Sequence, residues 1–174
     1  DQMSEIVFIL GAGASQDAGA PTMREFLHAA EKIEQAYRNH GIESDIGFLL
    51  DSLGDLQAIF AKSSLDLENI EAIYGTIEMA RLIRKFPGLP DEAIDRLSTA
   101  IKRTIIVTLE ENVRFHCSGG QMHPTSSYLE FAKLIFDLNR DRPKQRASVI
   151  TFNYDIALDY ALFFMGIPAD YCFG

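Results

Sequence analysis

The chain of 174 residues is poor in basic side chains, in cysteine and in long apolar runs. Sixteen Lys and Arg stand against 25 Asp and Glu, a net charge of −9. Nucleic-acid backbones are tracked by clustered Lys and Arg, so this balance weighs against direct nucleic-acid binding. No apolar run reaches the roughly 18 to 20 residues that a bilayer-spanning helix needs, so no membrane partner is expected. No basic segment followed by an apolar run opens the chain, and no secretory signal is read. Cys117 and Cys172 are too few for a four-thiolate zinc site, in a chain long enough to fold without staples. The reading is a reduced, cytoplasmic protein, with no metal expected.

What is present suffices for one folded domain. Forty-seven per cent of residues are apolar and 24 per cent charged, which excludes general disorder. Glu5 to Leu10 (E-I-V-F-I-L) is a short apolar run ending in glycine, and it reads as a buried parallel strand. Gly11-Ala12-Gly13-Ala14-Ser15 follows, and a small-residue stretch closes with Gly19-Ala20-Pro21. Thr22 and Glu25 form a T-x-x-E capping box for a helix with Phe26, Leu27, Ala30, Ile33 and Tyr37 on one face. From about residue 44 to 142 the periodicity is helical almost throughout, in four stretches read as mainly structural, the third ending before a Ser118-Gly119-Gly120 loop. Ala147 to Phe152 (A-S-V-I-T-F) reads as a second buried strand. A helix with Ala157, Tyr160, Ala161 and Phe164 follows, and Tyr171-Cys172-Phe173 opens a third strand. The expected fold is α/β, with a large helical insertion, about 44–142, between the first two recognisable strands of a parallel sheet. A domain ending as a strand opens leads to the expectation that its C-terminal part lies beyond Gly174.

Ligands of open α/β sheets bind outside the carboxyl ends of the strands, and two such ends carry polar or glycine-rich residues here. Glycine at 11 and 13 permits a sharp bend and a close ligand approach, free N–H groups at a helix start attract phosphate, and Ser15 adds a hydroxyl. The same residues could form an ordinary strand-to-helix turn. Gln16 replaces the third glycine of G-x-G-x-x-G, and no acidic residue stands at a second strand end about 20 positions on to hold a ribose, which disfavours an ordinary dinucleotide oxidoreductase. At the second end, alternation turns Thr151, Asn153 and Asp155 to one side. Asp155 could cap the following helix, contact a ligand, or do both. Asn153 has no evident structural reason and reads as functional.

The two motifs together resemble a known family. G-A-G-A-S-Q-D-A-G-A-P-T-M-R (Gly11 to Arg24) resembles the sirtuin pattern G-A-G-x-S-x-x-x-G-I-P-x-F-R, with Met23 in place of Phe. T-F-N-Y-D (Thr151 to Asp155) resembles the T-x-N-Y-D segment of the sirtuin-like NAD-hydrolysing domains of prokaryotic defence proteins. The matching motifs cover only about 20 of the 174 residues. The resemblance implies a Rossmann-like sheet on which NAD is a substrate. Gly11, Ala12, Gly13, Ala14 and Ser15 would cradle its pyrophosphate. Thr22 and Arg24 would lie at the end of that motif, Arg24 near the nicotinamide-side ribose or phosphate. Asn153 would contact that ribose and position the attacking water, Asp155 would hold the carboxamide, and Thr151 would stand beside them. The implied activity is an NAD glycohydrolase of anti-phage defence that releases nicotinamide and ADP-ribose. A homo-oligomer or a defence-system partner domain is implied as well. An NAD-dependent protein deacylase and a non-catalytic NAD or ADP-ribose sensor are the alternatives. The family's catalytic histidine follows the T-x-N-Y-D segment in an H-G motif. His28, His40, His116 and His123 all precede it and read as surface or loop residues, so that histidine is expected beyond Gly174.

Overall fold

A computed structural model describes residues 6–39, 44–60, 66–86, 88–141, 147–153 and 156–171. The chain is mixed α/β and mostly helical, and it divides into two compact units. One comprises Asp1–Ala20 with Val113–Gly174, the other Pro21–Asn112. This partition differs from a helical insertion at 44–142. The helix after the glycine motif belongs to the helical unit, and the helix before the second strand belongs to the sheet unit.

The sheet unit is built on β1 (Ile6–Leu10) and β4 (Ala147–Thr151), paired in parallel from Ile6 opposite Ala147 to Leu10 opposite Thr151. Between them in sequence lies the long connection that a parallel pair requires. β-Branched and aromatic residues suit both strands to a pleated surface. One face, with Ile6, Phe8, Leu10, Ala147 and Val149, is at least partly covered. Helices α5 (Ser126–Asp141) and α6 (Ala157–Phe164) supply its core through Tyr128, Ala132, Ile135, Ala157, Leu158, Ala161 and Leu162. Phe8 meets Phe131 edge to face, ring centres 5.1 Å apart. The opposite face differs from the fully buried strands expected. Val7, Ile9, Ile150 and Phe152 are exposed, Ile9 and Phe152 each at 68 %. Strand alternation sends every second side chain away from the helices, and no described element covers them.

Two further features were not expected. The segment around Gly119 and Gly120 is a hairpin, with β2 (His116–Ser118) antiparallel to β3 (Gln121–His123). Both glycines have positive φ, as a two-residue turn of this hand demands. Tyr160 Oη donates to the Met122 carbonyl at 2.8 Å and ties the hairpin to α6. The buried face of α6 is Ala157, Leu158, Ala161 and Leu162, whereas Phe164 is exposed. Tyr171 belongs to no strand, and its phenol donates to Asp159 Oδ1 at 2.6 Å. Cys172, Phe173 and His40 lie outside the described residues.

The helical unit contains α1 (Met23–Asn39), α2 (Asp45–Phe60), α3 (Ile70–Ile83) and α4 (Asp91–Asn112). Its core joins Phe26, Leu49, Leu56, Ile73, Ile77 and Leu97 among others. Each such side chain contributes about 2 kcal/mol of burial. The expected box at the start of α1 forms: Thr22 N–H and Thr22 Oγ1 both donate to Glu25 Oε2, at 3.2 and 2.7 Å. The inward face of α1 is Phe26, Ala30 and Glu34, so a carboxylate takes a place where Ile33 was expected. Arg38 Nε and Ser44 Oγ hold that buried carboxylate. Asn69 caps α3 by accepting from the amides of Glu71 and Ala72. No helix among the described residues is long and apolar enough to cross a membrane.

Candidate functional site

The parallel pairing continues one residue past β4, where Phe152 N–H donates to the Leu10 carbonyl at 3.1 Å. That bond brings Asn153 alongside the residues that follow β1. Gly11 leaves the strand with extended backbone, φ −107° and ψ −177°, and Ala12–Ala18 form a 3₁₀ segment. The left-handed conformation falls at Gly19 (φ 91°), which closes the segment. Gly11 and Gly13 do not occupy that region, so conformational freedom is not the reason for glycine there. Packing is not the reason either: a Cβ built on Gly11 or Gly13 meets nothing within 4 Å. Both are exposed, Ala12 and Ala14 are half-buried, and Ser15 is buried. Seven residues of 3₁₀ helix carry little aligned dipole, so the helix-start argument for phosphate binding weakens.

The 3₁₀ segment is anchored at its C-terminal end. Asp17 Oδ2 accepts from Ser127 N–H at 3.3 Å, Ser127 Oγ at 2.8 Å and Ser126 Oγ at 3.4 Å, and so caps α5 from a remote position. The Ser127 hydroxyl and amide hold the Asp17 carboxyl below its ordinary range. Arg114 N–H donates to the Ala18 carbonyl at 2.8 Å. The segment is therefore held against α5.

Three neutral side chains meet between these elements. Asn153 Nδ2 donates to Ser15 Oγ at 2.7 Å and to Tyr128 Oη at 3.2 Å. Ser15 Oγ and Tyr128 Oη are 2.9 Å apart and hydrogen-bonded. Ser15 and Tyr128 are only 1 % and 3 % exposed. Among the described residues, Asn153 Oδ1 is buried without a protein partner. Such an orphan is uncommon, because a buried acceptor left unmatched costs about 1–3 kcal/mol. Asn153 thus has the structural reason that its sequence context did not reveal, and one further atom that no protein group satisfies.

The remaining expected site residues are distributed as follows. Thr151 Oγ1 accepts from Asn153 N–H at 3.1 Å, so it shapes the strand end. Asp155 lies outside the described residues. Thr22 and Arg24 belong to the helical unit, where Thr22 engages Glu25 and Arg24 is exposed on the first turn of α1. His116 and His123 face each other across the hairpin, and the His123 ring lies 5.5 Å from that of Phe164. Among the described residues, no group of three or more His, Cys, Asp or Glu could hold a metal ion.

Tyr128 falls in the last of the four helical stretches that the periodicity reads as mainly structural. A usable signal was there: a tyrosine on a buried helical face needs a partner for its hydroxyl. No protein-family model matches this chain, and no curated protein matches it.

Proposed function

We propose that this chain is the NAD-binding part of a sirtuin-like NAD hydrolase, and that β1 and β4 belong to a Rossmann-like sheet. The observation that carries the reading is the junction of Ser15 and Asn153, 138 positions apart, at the carboxyl ends of two parallel strands. Open α/β sheets bind nucleotides at such ends. Two features of the site suit the ligand. The open space over Gly11 and Gly13 leaves their backbone accessible to a pyrophosphate. The unpartnered Asn153 Oδ1 offers an acceptor to a ribose hydroxyl or a water.

Hydrolysis breaks the bond between ribose C1′ and the pyridinium nitrogen. The bonding pair stays with the nitrogen, neutral nicotinamide leaves, and water adds its oxygen to C1′ and releases a proton. Such cleavage passes through a cationic sugar, so positioning and electrostatics dominate the rate. A carboxamide suits this task because it stays neutral across the pH range. Following the family resemblance, a histidine would activate a hydroxyl.

The test is incubation of the full-length protein with NAD, with nicotinamide and ADP-ribose measured. Release that disappears in Asn153→Ala supports the reading. NAD left intact and unbound overturns it. Binding without release favours the sensor instead, and nicotinamide release that requires an acyl-lysine peptide favours the deacylase.

A further inference from the structure

We infer that Tyr128 is a positioning residue that sets which end of the Asn153 carboxamide faces the ligand. For the identity of that ligand the inference rests on the NAD reading above. Asn153 Nδ2 carries two hydrogens, and each hydroxyl carries one. Nδ2 donates to Ser15 Oγ at 2.7 Å and to Tyr128 Oη at 3.2 Å. The amide nitrogen is thereby engaged and Oδ1 is left as the free atom. Ser15 alone offers a single oxygen, about which the carboxamide can swing. The second acceptor, 2.9 Å from the first, closes a triangle and removes that rotation.

Tyr128 suits this role because its own position is fixed. It is almost fully buried on α5, in the same core cluster as Ala132 and Ile135. The start of α5 is in turn held by Asp17 of the 3₁₀ segment. The helix, the bend and the strand end therefore share one frame, and Tyr128 is the contact through which α5 reaches Asn153. With the nitrogen held by the two hydroxyls, Asn153 presents Oδ1, which accepts a hydrogen from a hydroxyl or a water.

Tyr128→Phe tests this, since it removes only the hydroxyl. The expected result in the full-length protein is a fall in kcat for nicotinamide release of at least tenfold, with KM for NAD within about threefold of wild type. The Asn153 side-chain amide protons, assigned by NMR from the signals lost in Asn153→Ala, should exchange faster with solvent than in wild type. Faster exchange with lowered kcat supports the inference; unchanged exchange, or unchanged kcat in an active protein, overturns it. A wild-type protein inert toward NAD removes the functional reading, yet the exchange comparison still decides whether Tyr128 holds Asn153. Should Tyr128→Phe disturb folding, the exchange is read in Ser15→Ala, where Tyr128 is the remaining acceptor of the pair. Asn153 amide protons that still exchange more slowly there than those of an exposed asparagine support the inference, and exchange as fast as an exposed asparagine overturns it.

Discussion

The two units each bury oxygen atoms that no protein group satisfies, but in different surroundings. In the helical unit, Thr104 and Thr108 of α4 are fully buried with unpartnered hydroxyls, one helical turn apart. In the sheet unit Thr125 Oγ1, Asn139 Oδ1 and Asn153 Oδ1 are unmatched among the described residues, and of these Asn153 follows the strand end at Thr151. Charge is distributed differently as well. Glu34 and Glu78 of the helical unit are held by Arg38 and Ser44, and by Ser98, Arg81 and Lys102. The Ser15–Tyr128–Asn153 group is neutral throughout. An unmet acceptor inside a helix lowers stability, whereas one at the carboxyl end of a parallel strand stands where open α/β sheets bind ligands. Burial by itself does not distinguish the two cases; position in the fold does.

Substitutions in the two units should separate these cases. The largest effect is expected for Asn153→Ala. Nicotinamide release should fall by roughly 100-fold or more, the scale of losing one preorganised polar contact to a reacting centre. Its melting temperature should stay close to that of wild type; a collapse of the fold would make Asn153 a structural residue like Glu34. Gly13→Ala comes next. A Cβ there meets nothing in the protein, so stability should hold or rise by about 0.4–1 kcal/mol. NAD affinity, read by calorimetry, should nevertheless drop about tenfold, and retained affinity would leave the glycine without a ligand.

Thr104→Val sharpens the contrast from the other side. Replacing an unmatched buried hydroxyl by a methyl should raise stability by about 1 kcal/mol in denaturant melts, with NAD turnover unchanged. Ser15→Ala removes one neutral hydrogen bond and should weaken NAD binding by about 1 kcal/mol, close to fivefold.

The smallest effect concerns Asp17. Hydrogen bonds from Ser127 lower its folded pKa below the ordinary aspartate value of 3.8. The stability it adds is therefore complete above that value and is lost as pH falls through the lower folded value. Comparing wild type with Asp17→Asn by melting at pH 6 and then down toward pH 3 should show the difference narrowing with acid. A gap that does not narrow would remove Asp17 as the cap of α5.

Much of this was readable from residue order, for reasons that differ by element. The runs Ile6–Leu10 and Ala147–Thr151 are contiguous and β-prone, so their strand character was evident. Faces such as Ile70, Ile73 and Ile77 follow the helical period and are buried. The hairpin around Gly119 escaped notice because three-residue strands are too short to show a period. Glu34 was missed because hydropathy disfavours a buried carboxylate, and only Arg38 and Ser44 make it acceptable. Tyr128 was missed as a site residue because its hydroxyl partners are 113 and 25 positions away.

Sequence by itself determined the local elements, the glycine-rich bend after β1 and the candidates Ser15 and Asn153, because propensity, periodicity and turn chemistry act over a few residues. Tertiary structure alone decided the register in which β1 and β4 pair, that their outer face is left bare by the described residues, and that Ser15, Tyr128 and Asn153 close a triangle with one oxygen unmatched. Hydrogen bonds and burial depend on which distant segments come into contact, and no local pattern encodes that.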